Sequence, residues 1–239
     1  MPIHLLKLIN KRKIAQDVFA FTFEKPKNFT FKPGQYGGFT LMQPIDTNAG
    51  GSTRRFSLSS SPNDPCLEIT IRIQAQQSAY KRVLSQLEIG SEIKFAGPTG
   101  LFTLHEEITT PAVMIAGGIG ITPFYSMIKT LTAAQIPQPL HLFYGNQSLQ
   151  DTAFLEDLMT WQQQNPHFHF IPTLANPDQD WQGEKGFITD HMIKKYISNL
   201  DAPIYYICGS PAMVTVLQET LAEMGIDEDR IKVEDFPGY

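Results

Sequence analysis

Arg54, Arg55, Phe56 and Ser57 stand side by side in RRFSLSSSP, and this order of side chains suits one kind of ligand. A fixed guanidinium meets a pyrophosphate through paired, charge-assisted hydrogen bonds. An adjacent aromatic ring stacks on a planar heterocycle, and the hydroxyl that follows reaches a ring nitrogen. A second stretch, AGGIGITPF (116–124), joins a buried apolar run to a helical pattern. Gly117, Gly118 and Gly120 remove side chains where a ligand would approach the backbone. Thr122 is expected to cap the helix and Pro123 to occupy its first turn. A helix N-terminus aimed into a crevice favours an anion. Pro123 stands where the dinucleotide pattern G-x-G-x-x-G has its third glycine, so the stretch reads equally as a nucleotide cradle or a plain tight turn. In a third stretch, YICGSPAMV (206–214), Cys208 closes a strand and Gly209 leads toward a helix. Ligands of open α/β sheets bind at the carboxyl ends of strands, so Cys208, Gly209 and the 117–120 turn converge if their strands are neighbours. By itself Cys208 reads as a small buried hydrophobe.

Two kinds of element must position these groups. HLLKLI, VFAFTFE, GGFTLM, FSLS, LEITIRI and EIKFAG are short, rich in β-branched and aromatic residues, and separated by KPGQYGG, SPNDP and GPTG. In LEITIRI, Leu67, Ile69, Ile71 and Ile73 share one face. With one helical insert, SAYKRVLSQL, these strands predict a small antiparallel barrel over residues 1–103. From 104 to 239 the rhythm changes. AVMIA, LHLFYG, HFHFIPTL, IYYIC and IKVEDF alternate with helical patterns, which predicts a doubly wound parallel sheet.

These motifs together resemble the ferredoxin–NADP reductase family in its short form, without a fused iron–sulfur domain. The resemblance rests on Arg54-Arg55-Phe56-Ser57, Ala75-Gln76-Gln77-Ser78, Gly97-Pro98-Thr99-Gly100, Gly117 to Pro123 and Cys208-Gly209-Ser210-Pro211, in that order along nearly the whole chain. It implies a flavin-binding barrel followed by a nucleotide-binding domain. It also implies FAD as cofactor and NADH or NADPH as electron donor. Arg54 is then the pyrophosphate contact, Phe56 the stacking ring and Ser57 the hydrogen-bond donor near flavin N5. Ser78 holds phosphate at a helix start. Gly117, Gly118, Gly120, Thr122 and Gly209 line the nicotinamide nucleotide path, and Cys208 sits beside the nicotinamide. Glu234 in the terminal VEDFPGY becomes a proton relay, with Phe236 or Tyr239 covering the ring. Ser57, Cys208 and Glu234 are thus the expected catalytic residues, and no metal is needed. Three positions depart from the family's pattern. Phe56 replaces a tyrosine, Ala75 a glycine, and Gln147 stands where relatives often have arginine. The 42–53 loop is long enough to fold over an adenine, which favours FAD over FMN.

Charge refines this picture. The net charge is −5, but residues 1–103 carry 13 Lys and Arg against 7 Asp and Glu, and the remainder 6 against 17. Opposite fields steer association, so the basic barrel predicts an acidic carrier of the ferredoxin or flavodoxin kind as acceptor. Lys7, Lys11, Arg12, Lys13, Lys25, Lys27 and Lys32 are the candidate patch. Between Lys129 and Lys185 there is no Lys or Arg. Reading a 2′-phosphate needs a cation, so NADH is the expected donor.

Other readings stay open at this stage. One is a reductase of free flavin or a small oxidant, with no protein carrier. Another is a non-catalytic flavin-binding electron-transfer subunit. Two distant cysteines exclude a four-cysteine zinc or iron–sulfur site from this chain alone. A pI near 5.7 argues against nucleic acid. No apolar run approaches the roughly 20 residues of a membrane span. The first residues, MPIHLLKLINKRK, reverse the order of a secretory signal, and a cytoplasmic protein is expected.

Overall fold

The computed structural model describes residues 2–42, 51–74 and 78–236. The first half is a six-stranded antiparallel sheet. Its strands are β1 (Ile3–Ala15), β2 (Val18–Glu24), β3 (Tyr36–Leu41), β4 (Thr53–Ser57), β5 (Cys66–Arg72) and β6 (Glu92–Thr99). They are ordered β4-β3-β6-β1-β2-β5. A bridge from Leu58 to Ile69 joins the continuation of β4 to β5, which curls the sheet into a barrel. Leu6, Leu8, Phe21, Phe23, Phe39 and Phe95 fill its interior. Burial of this apolar surface, at roughly 25 cal/mol per Å², is the main force holding it.

β5 corrects the expectation of a half-exposed alternating strand. Residues 67–71 are buried on both faces. The polar face is not solvated: Glu68 accepts hydrogen bonds from Arg12, Thr22 and Ser59. Ser59 also bonds Thr70. A buried carboxylate needs such partners, because leaving it unpaired is costly.

The second half is a parallel sheet of β7 (Ala112–Gly117), β8 (Leu140–Asn146), β9 (Phe168–Leu174), β10 (Glu184–Lys185), β11 (Ile204–Gly209) and β12 (Ile231–Asp235). Its order is β10-β9-β8-β7-β11-β12. Helices α2 (Ile121–Ala133), α3 (Leu155–Gln164), α4 (Asp190–Tyr196) and α5 (Pro211–Glu223) cross between strands, while α1 (Ala79–Gln86) belongs to the barrel half. The apolar strands are covered on both faces by separate buried clusters. β7 pairs with β8 on one side and β11 on the other. The strand order therefore reverses at β7 and β11, and a crevice opens beyond their carboxyl ends.

Candidate functional site

Two cavities flank that crevice. The first, of about 840 Å³, is walled by β4 and the start of α1 from the barrel, and by the 119–122 turn and β12 from the sheet. The second, of about 1000 Å³, lies over the sheet between the turns after β7 and β8, the 186–190 loop and α5. Arg72 and Gln74, at the end of β5, line both.

β4 places RRFS as a strand requires, with alternate side chains on opposite faces. Arg54 and Phe56 point the same way, and both meet Tyr80. The Arg54 guanidinium lies 5.4 Å from the Tyr80 ring centroid, and the Phe56 ring lies 5.9 Å from it. Phe56 also packs on Phe39 at 6.0 Å, so the ring is fixed against the barrel core while lining the cavity. Arg54 donates to the carbonyls of Gly51 and Thr53, which hold its stem at the cavity wall. Arg55 turns the other way, toward Tyr36. Ser57 is buried at the end of the strand.

Ser78 is the N-cap of α1, accepting from the Lys81 N–H at 3.4 Å. The start of that helix, its partial positive end, lines the first cavity. Lys81 lines it too, and its ammonium is pushed below the ordinary lysine value by burial and by Arg72 and Arg54. Arg72 pairs with Asp151 at 3.5 Å, yet its buried Nε has no hydrogen-bond partner among the described residues. Three crowded cations, one with an orphaned donor, and a helix start make a strong anion site. An aromatic wall lies beside it. These residues fit the pyrophosphate and ring of a flavin dinucleotide. Sequence reasoning missed Arg72 and Lys81, because a cation on a strand end or helix reads as a solvated side chain. Ala75 to Gln77, residues 43–50 of the loop offered for the adenine, and Tyr239 lie outside the described residues.

The glycine turn separates the cavities. Gly118 to Gly120 form a single 3₁₀ turn, with Gly118 at φ +51°. A side chain on Gly120 would run into the carbonyl of Cys208, so only glycine lets the turn sit on the end of β11. The turn also moves the helix start. Gly120, not Thr122, is the N-cap of α2, and Thr122 lies inside the first turn, donating to the Ile119 carbonyl. Thr122 and Ile119 face the first cavity, whereas Gly117 and Gly118 face the second.

The expected convergence of Cys208 and Gly209 with this turn is present, since Cys208 pairs with Ala116 in register. Cys208 itself is fully buried in the core, and burial pushes its thiol well above the ordinary value. It therefore stands as a neutral thiol beneath the site and lines neither cavity. On its other side Cys208 pairs with Glu234. Glu234 reaches the first cavity and accepts from the Ser57 hydroxyl at 3.5 Å. Burial raises its carboxyl to about 7. The Phe236 N–H extends the pairing by donating to Gly209, and its side chain lines the same cavity.

Residues 5–104 match the family model of the oxidoreductase FAD-binding domain, and residues 114–219 that of the oxidoreductase NAD-binding domain. Ferredoxin–NADP reductase B of Sorangium cellulosum is 26% identical over 240 residues, with 96% of each chain covered. The chain belongs to the ferredoxin–NADP reductase family. The toluate 1,2-dioxygenase electron transfer component of Pseudomonas putida is 28% identical over 231 residues, and the reductase-family chain spans 95% of itself but 66% of that protein. It spans 59% of the anthranilate 1,2-dioxygenase electron transfer component of Acinetobacter baylyi, at 30% identity. The fold is that of a ferredoxin NADP+ reductase from Neisseria gonorrhoeae with bound FAD and NADP, at a TM-score of 0.82, 20% identity and 98% of each chain. Two modules of one oxidoreductase family thus supply the two sides of the crevice.

Proposed function

We propose that the chain is an NAD(P)H-dependent flavoprotein reductase that takes hydride from NADH onto FAD and passes electrons to a small acidic protein carrier. The observation that carries this reading is the meeting of Ser57, from the flavin-facing strand, with Glu234, from the last strand of the nucleotide module, on one cavity wall. FAD, when bound, supplies the conversion of a two-electron donor into one-electron steps.

The chain's own residues bind, orient and manage the proton. Arg54, Lys81 and the N–H groups that follow Ser78 hold the pyrophosphate, and Phe56 supports the ring system. Arg72 stands where the two cavities meet and offers charge to either nucleotide. Gly117 and Gly118 give a phosphate or nicotinamide close access to the backbone, Gly209 is buried and lines neither cavity, and Thr122 and Phe236 bound the ring region. Ser57 donates to Glu234 while that carboxyl is ionised. When Glu234 is protonated the bond reverses, and the Ser57 hydroxyl is released to donate into the cavity. A carboxyl poised near neutrality suits that exchange. Cys208 holds Gly120 and Glu234 in register from below and acts through packing.

NADH is the favoured donor. The second cavity presents Asn146, Gln147 and Asp190 around the turns where a ribose is read, and its Lys194 is engaged by Asp190 at 2.9 Å. An acidic carrier fits the positive charge of the barrel. Several cations of the expected patch are nevertheless already engaged. Lys11 donates to the Ser85 and Leu87 carbonyls, Lys25 to those of Pro62 and Asp64, and Arg12 to Glu68, while Lys32 lies 3.9 Å from the Glu106 carboxylate. The docking charge is then carried by Lys7, Lys13 and Lys27. Among the described residues no helix is long and apolar enough to cross a membrane, and both cysteines are free thiols, which suits the cytoplasm.

Steady-state turnover tests the acceptor. An acidic ferredoxin or flavodoxin should be reduced at a rate that falls steeply with added salt. Turnover with free flavin or ferricyanide alone, with no carrier reduction at any salt concentration, would instead favour a carrier-independent reductase.

A further inference from the structure

The run LSSSPND (58–64), which continues β4, lines neither cavity, yet every hydroxyl in it is used. Ser59 serves the buried Glu68 and Thr70. The Ser60 hydroxyl accepts from the Glu68 N–H, while the Ser60 carbonyl and the Ser61 hydroxyl face the other module. On one face of α2, Ser126 donates to the Ser60 carbonyl at 2.6 Å, Thr130 to Ser61 Oγ at 3.0 Å, and Lys129 to Asp64 Oδ2 at 2.6 Å. Ser126 is fully buried and Ser60 and Ser61 nearly so, which makes these bonds hard to exchange for water. The turn that receives them is stiff. Ser61 N–H donates to Asp64 Oδ2, Asp64 N–H to the Ser61 carbonyl and Asn63 N–H to Ser61 Oγ, while Lys25 ties down the Pro62 and Asp64 carbonyls.

Two rigid levers meet in this joint. β4 carries Arg54, Phe56 and Ser57 and runs directly into the turn. α2 begins at the glycine turn, carries Thr122 on the cavity wall, and brings Ser126 and Lys129 to the joint one and two helical turns later. At 1.5 Å per residue the joint lies about 6 to 10 Å along the helix from Thr122. A small rotation there moves the glycine turn relative to Phe56 and Ser57. A displacement of about 1 Å between reacting groups costs on the order of 100-fold in rate.

We infer that Ser126, Lys129 and Thr130, with Ser60, Ser61 and Asp64, form a positioning clamp that sets the distance between the nicotinamide and flavin sites. These residues touch neither cavity and act only through the levers. The inference rests on the proposed hydride transfer from a nicotinamide nucleotide to FAD.

The test compares the wild type, Lys129→Met, Lys129→Arg and the double variant Ser126→Ala/Lys129→Met, each with FAD bound. Anaerobic reduction at saturating NADH should slow about threefold in Lys129→Met and tenfold or more in the double variant. FAD and ADP-ribose dissociation constants should stay within twofold of wild type, and Lys129→Arg should retain the wild-type rate. Calorimetry of the flavin-free chains should show one unfolding transition in the wild type and separated transitions in the double variant. Unchanged reduction in the double variant would overturn the clamp, as would a loss of rate matched by equal losses in both affinities. Wild-type protein that NADH does not reduce would remove the functional reading itself, an outcome the wild-type control reports separately.

Discussion

Ser57 Oγ lies 3.5 Å from Glu234 Oε2, although 177 positions separate the two residues in the chain. The contact ties β4 of the barrel to β12, the last strand of the parallel sheet. It also surrounds Glu234 with enough protein to raise its carboxyl from the ordinary 4.5 to about 7, burial being the largest cause.

That shift has a sign. Between about pH 4.5 and 7 the folded protein holds a proton at Glu234 that the unfolded chain has released, so this group's contribution to stability falls as pH rises through the window and is flat above it. The lost contribution is about 2 kcal/mol once partial solvent access is allowed for. Urea unfolding of flavin-free wild type and Glu234→Gln at pH 5 and pH 8 checks this. The variant should gain on the wild type at pH 8 relative to pH 5, and a constant difference would contradict the shift.

Phe56 combines a packed edge with a cavity face. Phe56→Ala should weaken FAD binding by 10-fold or more and destabilise the flavin-free chain by about 1–2 kcal/mol, less than a fully buried phenylalanine would cost. Phe56→Tyr should keep the stacking surface and bind FAD at least as tightly as wild type. Flavin fluorescence on titration measures both.

Arg54 and Ser78 both line the first cavity, and on the proposed reading they hold the same pyrophosphate. Arg54→Gln removes a charged contact worth roughly 1.5–3 kcal/mol and should raise the FAD dissociation constant by about 10- to 100-fold. Ser78→Ala should also weaken FAD, and should lower stability by about 1 kcal/mol through the lost cap. Isothermal titration together with thermal melts separates the two effects.

Donor preference, on the proposed reading, is decided beyond β8, where Asn146 and Gln147 line the second cavity. Wild type should show a higher kcat/KM for NADH than for NADPH. Gln147→Arg, which places a guanidinium in the second cavity wall, should raise kcat/KM for NADPH by about 10-fold and leave NADH nearly unchanged. Equal gains with both donors would point to a general electrostatic effect instead.

Much of this architecture is legible in the sequence, because period-2 and strand–helix patterns report which faces are apolar. The β4 motif was readable for the same reason: Arg54 and Phe56 are two apart and must share a face. What stays hidden depends on contacts between distant segments. Arg72 and Lys81 look like solvated cations until the fold brings them onto the cavity with Arg54. Glu68 and Thr70 read as an exposed strand face, but hydroxyls and Arg12 bury and satisfy them. Thr122 has a capping residue's chemistry, yet the 3₁₀ turn lets the helix begin one residue before it, at Ile121. The two-residue strand β10 has too little pattern to find and exists only by pairing with β9.

Hydride transfer across the crevice from nicotinamide to flavin is the step on which the proposed function depends. Anaerobic stopped-flow mixing of the FAD-loaded chain with NADH or NADPH, followed at the flavin's 450 nm absorbance, tests it most directly. Bleaching should be rapid with NADH, slower with NADPH, and markedly slowed in Ser57→Ala. No bleaching by either nucleotide, with flavin demonstrably bound, would contradict it.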